Sequence, residues 1–160
     1  MKLRQLRTLL VLSVFVGASI ATSSAPLSLT IDNLSAEHQD DDTVEVSFEV
    51  SYDDGDGQSL QIVDENNQPT DLCFLVDFED EVECDQTVPC LESFLQDEVC
   101  TSGEVGPDPT TVTLVSSEPI EDLTNRWVTV TVDPDLSYEG SAAGGSGMID
   151  AEATLELDGE

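Results

Sequence analysis

Hydrophobic and polar residues alternate along most of this chain. Leu27, Leu29 and Ile31 are separated by Ser28 and Thr30, and Val44, Val46, Phe48, Val50 and Tyr52 by Glu45, Ser47, Glu49 and Ser51. A period of two is the mark of a strand with one buried and one solvated face. The same reading covers Leu60 and Ile62, the run Leu72, Phe74, Val76 and Phe78, the pair Val112 and Leu114, the run Val128, Val130 and Val132, and finally Ile149 to Leu157. Turn-forming residues lie between these runs: Asp53-Asp54-Gly55-Asp56-Gly57, Asn66-Asn67-Gln68-Pro69, Gly106-Pro107-Asp108-Pro109 and the loose stretch Gly140 to Gly147. Seven short patterns of this kind predict an all-β domain, an antiparallel immunoglobulin-like β-sandwich of about seven strands. Parallel strands, apolar on both faces, would not alternate.

One window departs from the pattern. Val88, Leu91, Leu95 and Val99 have helical spacing after Pro89, and Cys73, Cys84, Cys90 and Cys100 all fall within or beside that segment. Residues 79–100 are therefore expected to form a small helical or loop excursion, a lid tied by disulfides to the outer face of the Cys73 strand. A continuous helix would hold Cys90 and Cys100 about 15 Å apart at 1.5 Å per residue. That distance is too long for a bridge between those two. The spacing lacks a Cys-x-x-Cys pair, so two disulfides are preferred to a zinc site.

The N-terminus has another character. Lys2, Arg4 and Arg7 precede the apolar run Leu9 to Val16 and the small residues Gly17-Ala18-Ser19-Ile20-Ala21. This order is that of a secretory signal peptide over 1–21, cleaved after Ala21, followed by one domain over 22–160. The apolar run is short for a membrane span.

Charge sharpens the picture. The 160 residues hold 35 Asp and Glu against four Lys and Arg, a formal net charge of -31. Three of the four cations lie in the leader, and the fourth is Arg126. Such a surface repels nucleic acid and anionic membranes. It cannot be neutralised by internal ion pairs, but concentrated salt shortens the reach of the repulsion to about 3 Å at 1 M. In this acidic, Lys-poor composition the chain resembles proteins of extremely halophilic archaea. That resemblance implies salt adaptation and names no activity.

Candidate chemistry is sparse. Asp53, Asp54 and Asp56 are candidate calcium ligands, since a Gly-bearing loop can wrap carboxylates around a hard cation, though the spacing is not that of an EF-hand. No other cofactor is expected. Asp40-Asp41-Asp42 is read as a solvated connector. Asn33-Leu34-Ser35 is the one glycosylation sequon. His38, the one histidine, lies in a polar connector with no nucleophile motif, which argues against a Ser-His-Asp hydrolase and against blue copper. Arg126-Trp127 is read as a strand start with the indole at a sheet edge. The function expected is that of a non-enzymatic extracellular or cell-surface module, structural or adhesive, with protein partners or self-association through its edge strands, Leu27 to Ile31 and 149–157. A ligand-binding or inhibitor domain acting through an apolar patch on the lid (Leu91, Phe94, Leu95) is the alternative, and a carboxylate-dependent hydrolase the least favoured.

Overall fold

The computed structural model describes residues 27–53, 55–83, 90–139 and 146–157. The expected leader over 1–21 and Cys84 lie outside the described residues. All regular structure among those described is β. The strands are β1 (Leu27–Ser28), β2 (Thr30–His38), β3 (Val44–Ser51), β4 (Leu60–Val63), β5 (Leu72–Val82), β6 (Cys90–Thr101), β7 (Glu104–Val105), β8 (Thr110–Val115), β9 (Arg126–Val132), β10 (Ser137–Glu139), β11 (Ser146–Asp150) and β12 (Glu152–Leu157). Each of the seven expected patterns is a strand or a pair of strands. The short β7 and β10 were not anticipated, because two or three residues carry no readable period.

Three sheets share one core. A four-stranded sheet has the order β12-β9-β5-β6, a three-stranded sheet β2-β3-β8, and a five-stranded sheet β1-β11-β10-β4-β7. The first two face one another: Phe48 of β3 meets the edge of Phe74 of β5, with ring centroids 5.0 Å apart. Alternation does what the sequence implies. Val44, Val46, Phe48 and Val50 of β3, Leu72, Phe74, Val76 and Phe78 of β5, and Val128, Val130 and Val132 of β9 are all buried, while the residues between them face solvent or are half-buried. Burying one such side chain contributes about 1.5–3 kcal/mol.

Among the described residues the strand pairing is antiparallel with one exception. β1 runs parallel to β11, Leu27 opposite Ile149 and Ser28 opposite Asp150. Beyond Leu29, whose N–H donates to the Asp150 carbonyl at 3.1 Å, the two chain ends fork. β2 joins β3 in one sheet, and β12 joins β9 in the other. Gly103 lies where the third sheet packs closely. A Cβ there would fall 1.7 Å from the Thr70 carbonyl oxygen, so no larger residue fits without moving backbone.

The expected helix is a strand. β5 and β6 form a long antiparallel ladder running from Leu72 opposite Thr101 to Val82 opposite Cys90. The reason lies in the spacing itself. Leu95 and Val99, four apart, share a face in a helix and equally in a strand, because four is close to one helical turn and is also two strand periods. Here both point inward, opposite Phe78 and Phe74. A register shift between Phe78 and Glu79 leaves Phe94 as an extra residue, and this bulge turns Leu91 to the outer face opposite Glu81. The lid over 79–100 is thus corrected, over its described residues, to the end of β5 and nearly all of β6, antiparallel neighbours in one sheet.

Candidate functional site

β2 is longer than its alternation predicts. The register shifts between Asp32 and Ser35, and Asn33 takes φ 53° within the shift. One inserted residue changes the parity of the strand. Leu27, Leu29 and Ile31 contact the core at odd positions, Leu34 and Ala36 at even ones. His38 is therefore the last residue of β2 and not part of a connector. The connector is confined to a tight turn in which the Gln39 N–H donates to the Thr43 carbonyl at 2.8 Å. In that turn Asp41 accepts from the Thr43 hydroxyl at 2.6 Å and the Thr43 N–H at 3.2 Å, in that order of influence, which holds its carboxyl below the usual 3.8.

The outer edge of β2 and the outer edge of β12 are not paired with one another. Between them lies a cavity of about 780 Å³. Its apolar lining is Leu34 and Ala36 of β2, Leu155 and Leu157 of β12, and Leu123; Glu37, Glu121, Asp122 and Glu156 add carboxylates. The wall over 116–124 is anchored at several points. Ser116 is buried, accepts the Val44 N–H at 3.0 Å and donates to the Glu118 carbonyl at 2.8 Å. Ile120 is buried, and its carbonyl accepts from His38 Nε2 at 3.1 Å. That contact sets the tautomer with hydrogen on Nε2 and commits the imidazole to holding the wall. At the rim, the Thr124 N–H at 2.9 Å, then the Thr124 hydroxyl, and least the Arg126 charge hold Asp122 below 3.8.

The other expected groups lie apart. Asp53 is exposed and spends Oδ1 on the Gly55 N–H at 2.8 Å, in a turn where Gly55 and Gly57 have φ 83° and 69°. Asp56 is exposed, and Asp54 lies outside the described residues. The single cluster of metal-ligand type among the described residues is Cys73, Glu98 and Cys100. Its two sulfurs are joined at 2.06 Å, and a disulfide sulfur is a poor ligand compared with a thiolate.

Cys73 does point away from the face of Leu72 and Phe74, and it bonds Cys100 directly opposite on β6, with Cα atoms 4.0 Å apart. Cys90 is also disulfide-bonded. The apolar patch imagined on the lid is broken up. Leu95 packs on the core, and Phe94, 42% exposed, has the Arg126 guanidinium 4.5 Å from its ring centroid. Arg126 also donates from Nε to Asp80 at 3.0 Å. Trp127 is on the outer sheet face between Glu79 and Glu156, not at an edge.

The forked chain ends and the cavity between them had no separate sequence signal. Both depend on which sheet each strand joins after residue 29 and after residue 151. Among the described residues no helix is long and apolar enough to cross a membrane. No protein-family model, no curated protein and no solved structure matches this chain.

Proposed function

We propose that this chain is an exported, salt-adapted, non-enzymatic module of a cell surface or extracellular assembly, built as an immunoglobulin-like sandwich that associates with further copies of itself through its edge strands. The observation that carries the reading is the pair of edges, β2 and β12, that have no strand partner among the described residues and flank a cavity with apolar side chains on its walls. Unpaired edges present rows of N–H and C=O groups that a further strand can satisfy. Leu27–Ser28 is paired on one side with Ile149–Asp150, and the edges that flank the cavity are those of β2 (Thr30–His38) and β12 (Glu152–Leu157). A second copy is as acidic as the first, so association requires screening.

Light scattering on the size-exclusion eluate tests this. In about 3 M KCl, where screening is shorter still than the 3 Å of 1 M salt, the protein should form concentration-dependent oligomers; at about 0.15 M they should dissociate. A strictly monomeric particle at both concentrations of salt overturns the assembly reading.

A further inference from the structure

From the bulge in β2 we infer that Asn33 is a site of N-linked glycosylation, a proposal that rests on export of the chain. Asn33-Leu34-Ser35 is the one Asn-x-Ser/Thr sequence in the chain, with Leu, not Pro, in the middle. Both Asn33 and Ser35 are exposed, and they lie on a strand with one unpaired edge. The extra residue of the bulge and its φ of 53° lift the Asn33 backbone out of the ladder, so the segment can be engaged without breaking a central strand.

The side chain is turned to the outer face of the three-stranded sheet. Asn33 Nδ2 donates to Glu49 Oε2 at 2.6 Å, and Glu49 stands opposite Asp32 on that face. The Ser35 hydroxyl is held only by a long 3.4 Å contact to the Ser47 carbonyl. In the transfer, Nδ2 loses one proton and forms a bond to C1 of a sugar. The bond from C1 to the phosphate of a lipid-linked sugar phosphate breaks, and the lipid phosphate leaves with the electron pair. Nδ2 keeps its second hydrogen, which can still donate to Glu49. The glycan then stands over the outer face formed by Glu45, Ser47, Glu49, Thr111 and Thr113. Leu34 and Ser35 of the same sequon line the cavity between β2 and β12.

The experiment uses the full chain purified from its own cells and cut on the N-terminal side of Asp, which yields the peptide 32–39. Mass spectrometry should find that peptide carrying sugar mass on Asn33 in most molecules. Ser35→Ala should return the bare peptide with an unchanged melting temperature, and Ser35→Thr should keep the sugar. An exported protein, with its N-terminus at the leader cleavage point, whose 32–39 peptide is only bare overturns the glycosylation proposal and leaves export standing. A chain retained in the cell with Met1 intact overturns both.

Discussion

Where β6 passes β8, Asp97 turns inward opposite Val76, and its Oδ2 accepts the Ser117 N–H at 2.8 Å just beyond the end of β8. Where β2 passes β12, no ladder joins the edges either, and a cavity of about 780 Å³ remains there. Both gaps lie between the same two facing sheets. The first is closed by a carboxylate that satisfies a loop amide, and β6 is further tied to its neighbour by Cys73–Cys100. An inward charge on an edge strand also discourages pairing with another chain. The second gap has apolar side chains and free edges. The comparison teaches that a protein with almost no cations can still close an edge, by giving a carboxylate a backbone N–H in place of a Lys or Arg.

The largest expected effect comes from removing the clamp on the closed side. Cys73→Ala with Cys100→Ala leaves the Cys90 bond in place and should cost about 2–4 kcal/mol, read by denaturant unfolding. Hydrogen exchange should rise along β6 and remain unchanged along β2 and β12. An equal rise on both sides would erase the distinction between them. Asp97→Ala should cost about 0.5–1.5 kcal/mol, because the Ser117 N–H loses its carboxylate partner at an exposed site. Asp97→Asn, which keeps an acceptor oxygen, should recover much of that loss. If the two variants are equally damaging, charge is what matters at Asp97, and the closure argument fails.

The smallest effect belongs to the rim of the open side. The folded-state pKa of Asp122 is lowered from 3.8 by the Thr124 N–H and hydroxyl. A lowered folded value means that the stabilisation is complete above the unfolded value near 3.8 and is lost as pH falls through the lower, folded one. The Thr124 amide resonance should therefore titrate with a midpoint below 3.8 and be pH-independent there in Asp122→Asn. A midpoint at or above 3.8 would show that the turn does not hold the rim.

How much of this could be read beforehand varies strand by strand. β3 and β9 were legible residue by residue, since each is flanked by a partner on both sides, carries no inserted residue of its own, and has a buried inner face. β2 was legible only to Ile31, because the inserted residue at Asn33 moved its inner face from odd to even positions. β6 was misread for the same kind of reason. Leu95 and Val99 fit either period, and the bulge at Phe94 put Leu91 on the opposite face, where it looked like the third member of a helical stripe. The outward direction of Cys73 was legible from parity. Its partner was not, since four cysteines allow three pairings and only the β5–β6 register places Cys100 opposite.

Taken alone, the order of residues determined that the chain is β, which faces of its regular strands are buried, and that its exterior is acidic. These are local properties, set by side-chain period and composition. Tertiary structure decided where a bulge reverses parity, which cysteine meets Cys73, and that strands starting side by side at Leu27 and Ile149 part into different sheets. The physical reason is common to all three. Each depends on hydrogen-bond partners distant in sequence, and a one-residue slip in such pairing exchanges inside for outside without changing any local preference.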